Sequence, residues 1–201
     1  MDDLTPTRSV LLELKEESQS MREAYSFLDE KRMLLAGTLV EQVNRYDEAR
    51  RAFQQSYELA AMALQEAIAW HGLESLQCQP APGLDPHRLT VSTSSVLGVS
   101  LFEAELSPRS EEALEDLSGL SRVAQRCANH FREMTRQAAH LTALSGNLMR
   151  LYQEYQRTER RARALEDVLL PELEETTRQI DGHLEALDLE EAVRIRCMRR
   201  G

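Results

Sequence analysis

Two residues in this chain have the types and the spacing for metal chemistry. Cys127 and His130 stand three apart in a stretch of helical periodicity, so a thiolate and an imidazole would project from one face toward a shared cation. A closed site needs further donors. His71, His87, His140 and His183 are scattered and offer no second pair at ligand spacing, so Cys127 and His130 read as ordinary helix positions. Carboxylates are plentiful in Glu172-Leu-Glu-Glu175 and Glu190-Glu191. They stand among arginines on what should be a solvated face, whereas a general acid and base need burial to drive their pKa values apart. Loops of the form GxxxxGK(S/T) or GxGxxG, which cradle phosphates, are absent, as are GxSxG and HExxH. The expectation is a chain that is not itself an enzyme, with no catalytic residues, no cofactor and no metal.

What remains is charge. Lys31 and Arg32 near one end, and Arg160, Arg161 and Arg163 near the other, make one basic zone, and Arg194, Arg196, Arg199 and Arg200 make a second. Arginines at a helix C-terminus complement its dipole, which accounts for part of the second group, though four in seven residues exceed what capping requires. The formal net charge is −10, against what sequence-independent nucleic-acid binding or docking on anionic lipid requires. No apolar run approaches the roughly 20 residues of a spanning helix and nothing resembles a signal peptide. Cys78, Cys127 and Cys197 are odd in number, far apart and without a CxxC, which suits a reducing compartment. A soluble, cytoplasmic chain is expected.

The elements that must carry these charges are helices. The composition is 42% hydrophobic but only 5% aromatic, with 29% charged residues, as in long helices whose Leu and Ala line a seam under a charged exterior. Thr5-Pro6 has the form of an N-cap followed by proline at the first helical position. From there a seam runs through Leu11, Leu14, Met21, Tyr25, Leu28, Leu35, Leu39, Tyr46, Ala49, Phe53, Ala60, Ala63, Ala67 and Trp70, with Ser18, Arg32 and Gln42 as polar members. Kept up for this many heptads, it predicts coiled coil. At 1.5 Å per residue the helix would measure roughly 100 Å, ending at Gly72.

Residues 73–107 read as an irregular connection holding Pro80, Pro82, Gly83 and Pro86, with a β-hairpin over about 88–104 that turns near Ser94-Ser95 or Gly98. An isolated hairpin is marginal in water, so it should pack on the helices or on a partner. Ser107-Pro108 repeats the cap-and-proline start, and a second helix over 108–201 carries Leu114, Leu117, Leu120, Ala124, Phe131, Met134, Ala138, Leu141, Leu148, Tyr152, Tyr155 and Ala162. The stripe continues through Leu165, Leu169, Leu173, Ile180, Leu184 and Leu187. Pro171 lies inside it, which predicts a kink or local overwinding in a continuous helix, because Leu170 is a poor N-cap. Gly37, Gly119, Gly146 and Gly182 are either tolerated or mark the approach of another backbone. The architecture is mainly α: a single elongated domain built as a long antiparallel two-helix coiled coil, residues 1–72 against 108–201, with the hairpin at the junction.

Two separated blocks carry a family resemblance. The first is Pro6-Thr7-Arg8, Leu11-Leu12 and Leu28-Asp-Glu-Lys31-Arg32-Met-Leu-Leu35; the second is Thr158-Glu-Arg160-Arg161-Ala-Arg-Ala164-Leu165-Glu166, Leu170-Pro171 and Glu190-Glu191-Ala-Val-Arg194-Ile-Arg196. In this order and separation they resemble the D subunit, the central rotor shaft of V/A-type rotary ATPases. Where the family has Val-Asn this chain has Ala162-Arg163, and Met33 stands where an acidic residue usually follows Lys-Arg. The resemblance implies a shaft passing torque between a nucleotide-handling ring and a membrane ion-translocating rotor. Its implied partners are the catalytic and non-catalytic ring subunits (A and B type), the small F subunit of the stalk, and a funnel-like subunit leading to the membrane ring, with no nucleic acid and no direct membrane insertion. Arg8, Lys31, Arg32, Arg160, Arg161, Arg163, Arg194, Arg196, Arg199 and Arg200 become candidates for ring contact. Arg32 could instead pair with Glu166 across the hairpin of helices. Phe53, Tyr57, Trp70, Phe131 and Tyr152 become candidate stalk-partner contacts, with seam packing the competing role of each. Pro171 would bend the shaft. A stand-alone coiled-coil adaptor is the alternative, and a helical-bundle enzyme is disfavoured because no facing Glu/His constellation exists.

Overall fold

A computed structural model of the chain describes residues 6–77, 89–107 and 121–199. Its elements, in order, are α1 (Arg8–His71), α2 (Leu73–Gln77), β1 (Leu89–Val96), β2 (Val99–Leu106), α3 (Arg122–Ala164), a π-helical turn (Leu165–Leu169) and α4 (Leu170–Met198). The fold is mainly α, an antiparallel coiled coil with a two-stranded antiparallel hairpin. The chain divides into two compact units, Met1–Leu34 with Tyr155–Gly201, and Leu35–Glu154.

The start of α1 is capped two residues later than expected, at Thr7 where Thr5 was expected. The Thr7 hydroxyl accepts the Val10 N–H at 3.2 Å and the Thr7 carbonyl accepts the Leu11 N–H at 3.0 Å, so Thr7 is the N-cap, with Pro6 just before it. Along α1 the buried positions Leu14, Ser18, Leu35, Gln42, Ala49, Ala60 and Ala67 all fall on a four-three series whose other members, Met21, Tyr25, Leu28, Arg32, Leu39, Tyr46, Phe53, Ser56 and Ala63, are half-buried. That is the predicted seam with Ser56 added. Trp70 leaves it, being 73% exposed. Gly72 ends the helix at φ 73°, its N–H bonded to the Ile68 carbonyl at 2.8 Å, a left-handed cap that a residue with a Cβ adopts only under strain. Leu73–Gln77 then form a short helix where an irregular chain was expected.

The hairpin pairs Val96 with Val99 through Leu89 with Leu106. Its turn falls at Leu97-Gly98, both at positive φ (53° and 84°), the two-residue arrangement whose twist matches that of the strands. It therefore runs over 89–106, two residues past the expected end, and Ser94-Ser95 lie inside β1.

Helix α3 is capped by Ser121, whose hydroxyl accepts the Ala124 N–H at 3.2 Å while its carbonyl accepts the Gln125 N–H at 2.9 Å. The connection through Pro80, Pro82, Gly83 and Pro86 lies outside the described residues, as do Thr5, Pro108, Leu114, Leu117, Gly119 and Leu120. The α3 seam holds Ala124, Leu144, Leu151 and Thr158, of which Leu151 is fully buried and Tyr152, expected there, is 51% exposed.

Near Pro171 the structure corrects the expectation of overwinding. The turn from Leu165 to Leu169 is wider than an α-helix, with the Leu170 N–H bonded to the Leu165 carbonyl five residues back. An α-helical Pro171 would press its ring on the Asp167 carbonyl; one surplus residue in the preceding turn shifts that carbonyl aside. Backbone angles at Ala164, Leu169 and Leu170 all stay right-handed α, so the helix runs on without a break. The covered seam positions step from Leu165 to Leu170 and then Leu173, Thr177, Ile180 and Leu184, with Thr176 and Asp181 half-buried beside them. Leu169 and Leu187, expected on this stripe, are 39% and 45% exposed.

Candidate functional site

In the first unit the arrangement starts from three ion pairs between α1 and α4: Arg8 with Asp188 at 2.8 Å, Lys15 with Asp181 at 3.5 Å, and Arg22 with Glu174 at 2.7 Å. Each step forward along α1 is one heptad and is matched by one heptad backward along α4. Such a ladder flanking a seam selects orientation and register, because sliding either helix by a residue separates every pair at once. Each pair is exposed and worth roughly 0.2–1 kcal/mol, so its role is to choose among alignments that the seam itself stabilises.

One heptad further, the pattern would set Asp29 against Asp167, two carboxylates. The ladder stops there. Asp29 pairs with Arg32 on its own helix at 2.6 Å. Glu166 accepts a hydrogen bond from the Tyr25 hydroxyl; burial, then that carboxylate, hold the Tyr25 phenol above its usual pKa. The suggested Arg32–Glu166 pair is therefore not formed: Arg32 goes to Asp29 on its own helix, and Glu166 takes the Tyr25 hydroxyl.

The other basic residues of this unit turn along their own helix or out to solvent. Arg163 pairs with Glu159 at 2.7 Å and Arg160 donates to the Gln156 carbonyl at 3.3 Å. Arg161, Arg194, Arg196 and Arg199 are exposed, Lys31 is half-buried, and Arg200 lies outside the described residues. Among them Leu189, Val193, Ile195 and Met198 are also exposed, at 68%, 61%, 49% and 75%, so the end of α4 is an amphipathic surface without a covering element among the described residues.

In the second unit the hairpin is held by a side-chain clamp. Asn147, only 2% exposed, accepts the Phe102 N–H through Oδ1 and donates through Nδ2 to the Phe102 carbonyl, both at 2.8 Å. It thereby takes the place of a third strand. Phe102 is available because the pairing alternates along β2, leaving the backbone groups of Ser100 and Phe102 pointing away from β1. Arg150 donates to the Ser100 carbonyl at 3.0 Å and to Asn147 Oδ1 at 2.6 Å, and its guanidinium lies 4.4 Å from the Phe102 ring centre. The hairpin accordingly packs on α3, as the marginal stability of two strands requires.

Asn147 and Arg150 had no motif to reveal them; a polar residue at a seam position of α3 was the only available signal. Gly146 has the Arg150 guanidinium, and no backbone, at the position a Cβ would face, while Gly37 and Gly182 face open space. Beside the clamp a cavity of about 700 Å³ opens between α1, the hairpin and α3, lined by Gln42, Arg45, Glu103, His140 and Leu144 among others. The far end of this unit is tied by Arg126 with Glu66 at 2.7 Å and by His71 Nε2 lying 2.6 Å from the Ser121 hydroxyl.

The five aromatic candidates separate cleanly. Phe53 and Phe131 are half-buried, whereas Tyr57, Trp70 and Tyr152 are exposed at 57%, 73% and 51%. Near Trp70, Leu59 and Met62 of the same helix are exposed too, at 48% and 57%, as is Leu73, at 55%, just past the Gly72 cap. Cys127 is partly desolvated, which raises its thiol pKa and makes it a poorer thiolate than a free cysteine.

One unit is a helix pair with a charge ladder along its register and the other holds a clamped hairpin, and each leaves apolar side chains exposed. Similarity to known proteins says which family has this fold. Residues 10–200 match the family of the ATP synthase D subunit, and the chain belongs to it. It is similar to the D subunit of the V-type ATP synthase of Thermotoga neapolitana, 26% identical over 197 residues that cover 98% of this chain and 97% of that one. It is also similar to the D subunit of the A-type ATP synthase of Pyrococcus horikoshii, 29% identical over 203 residues covering 98% and 93%, and to that of Methanobrevibacter smithii, 25% identical over 202 residues covering 99% and 87%. No helix of the described residues is long and apolar enough to cross a membrane.

Proposed function

We propose that this chain is the central rotor shaft of a V/A-type ATPase or ATP synthase, itself non-catalytic, passing torque between the nucleotide-handling ring and the membrane ion-translocating rotor. The observation that carries this reading is the heptad-spaced ladder of Arg8–Asp188, Lys15–Asp181 and Arg22–Glu174, which locks the two ends of the chain together. A helix pair resists torsion only while its strands cannot slide past each other, and a ladder repeated every two turns opposes that sliding. The exposed Arg161, Arg194, Arg196 and Arg199, with the apolar residues between the last three, form the surface offered to the A- and B-type ring subunits. Arg8, Arg32 and Arg163 serve the shaft's own ion pairs first. Tyr57, Trp70 and Tyr152 are the anchors for the small F subunit and for the funnel-like subunit, and Phe53 and Phe131 pack the seam. The complex works on the cytoplasmic side, peripheral to the membrane.

Co-expression with the ring and F subunits tests this. A complex that co-elutes on size exclusion, and that Trp70→Ala together with Tyr57→Ala weakens, is expected. A chain that stays apart and self-associates is instead the stand-alone adaptor. Pro171, by bending the helix, would make the shaft eccentric so that it presses on ring subunits in turn. Unchanged coupling and unchanged single-molecule rotation in Pro171→Ala would rule that out.

A further inference from the structure

The π turn at Leu165–Leu169 has two candidate causes, and they predict different things. One is Pro171, whose ring a wider turn accommodates. The other is register. N-terminal to the turn, the covered seam positions are Thr158, Ala162 and Leu165, spaced four and three; C-terminal to it they are Leu170, Leu173, Thr177, Ile180 and Leu184, spaced three and four, with Glu159, Thr176 and Asp181 half-buried beside them. The two sets are each in heptad phase, but the step joining them is five where four would continue the pattern. One surplus residue therefore sits in this segment. An unbroken α-helix would rotate α4 by about 100° relative to the preceding seam, the angle of one residue at 3.6 per turn. The ion-pair ladder would then leave its flank, and Ile180, 7% exposed, would leave the seam.

The flanking contacts fit a joint placed where registers meet. Beyond Arg22–Glu174 the ladder would set Asp29 against Asp167, and the turn lies at that rung. Asp29 goes to Arg32, Glu166 goes to Tyr25, and Val168 and Leu169 turn outward at 49% and 39% exposure. The turn itself contains no buried residue. Pro171 adds a missing donor beside it. Few buried contacts and a missing backbone bond are the marks of a segment that opens at low cost.

We propose that this turn is a built-in joint: a one-residue reset that lets the two halves of the helix keep separate heptad registers, and the point at which the helix yields in torsion. The reset concerns the chain alone; its mechanical use rests on the shaft reading above. Proline, on this account, occupies the joint because the joint tolerates it, and is not its cause.

Three variants of the full chain test this: Pro171→Ala, deletion of Val168 combined with Pro171→Ala, and as control deletion of Gln179 combined with Pro171→Ala. Carbodiimide coupling of Lys15 to Asp181, read by peptide mass spectrometry, reports the ladder, and hydrogen exchange reports the turn. Pro171→Ala is expected to keep the Lys15–Asp181 cross-link and to keep fast exchange over 166–170, because the surplus residue remains. Deleting Val168 in that background should keep the cross-link, keep or raise Tm, and slow exchange over 166–170 by about tenfold, to the level of the flanks. Deleting Gln179 should abolish the cross-link and lower Tm. Slowed exchange in Pro171→Ala alone would make proline the cause. Unfolding of the Val168-deleted variant, or loss of its cross-link, would overturn the reset. In the assembled complex the Val168-deleted variant should narrow the angular fluctuations of a stalled rotor, and unchanged width would overturn the yielding joint. Failure of every variant and of the parent to assemble would instead count against the shaft reading, leaving the reset to stand on the isolated chain.

Discussion

Among the described residues, Glu133 is the carboxylate whose acidity changes most. Its carboxylate is pulled down to about 2 from the usual 4.5, first by the hydrogen bond from Arg136 and then by that from Gln137. A depressed folded pKa contributes stability that is full above 4.5 and is lost as the pH falls toward about 2. Both partners are substantially exposed, so solvent screening keeps that contribution small. Arg136→Gln is expected to return the Glu133 titration most of the way to 4.5, measured from its side-chain carboxyl carbon by NMR. Asn147 is a different case, because it is buried and fully used. Asn147→Ala leaves the Phe102 N–H and carbonyl without partners and should cost about 1–3 kcal/mol. Urea unfolding would show it, together with faster amide exchange in β2 that Arg150→Lys, retaining Asn147, would not match.

For the helices the relevant energy is collective. No rung between α1 and α4 exceeds the small value of an exposed pair, yet all three share one register. Reversing Arg8, Lys15 and Arg22 to Glu should lower Tm by several degrees at low salt, about 2–4 °C for each kcal/mol lost. Adding Asp188→Lys, Asp181→Lys and Glu174→Lys should restore most of it, and about 1 M salt should shrink both effects. Absence of rescue would mean that the seam alone chooses the alignment. The hairpin depends on Gly98 at φ 84°, where Gly98→Ala should cost about 1 kcal/mol because a Cβ is strained at that angle. Thermal melts of the two proteins side by side would measure it.

As a whole molecule the chain is a member of the ATP synthase D-subunit family over residues 10–200. Apolar side chains stand open to solvent at Trp70 and Leu73 in one unit and at Val193, Ile195 and Met198 in the other. The parent chain is therefore expected to be more soluble and to melt higher when co-purified with its partner subunits than alone. Differential scanning calorimetry of the two preparations would measure the shift, and equal melting would argue that these residues meet no partner.

Much of this was legible in the residues. The α1 seam follows from a three-four repeat, and repeat periodicity is a property of the chain alone; Ser18 and Gln42 were correctly placed on it, and both are buried. Gly72 declared itself, since an ordinary side chain resists the φ that a cap demands, whereas Gly98 was one of two places where the hairpin was expected to turn, the other being Ser94-Ser95. The order of the two family blocks pointed to the same fold.

What sequence could not decide were choices among near-equal partners. Arg32 had Glu166 and Asp29 within its potential reach, and only the folded helices show that it goes to Asp29 while Glu166 takes the Tyr25 hydroxyl. Tyr152 and Leu151 are adjacent and both apolar enough for a seam; which one is buried depends on the helix phase, and phase is set by packing. The surplus residue before Pro171 is invisible to a local pattern, because Leu169 and Leu170 each continue the stripe acceptably. It emerges only when the helix must meet a seam on both sides of the turn at once, and meeting both is a condition that tertiary structure imposes.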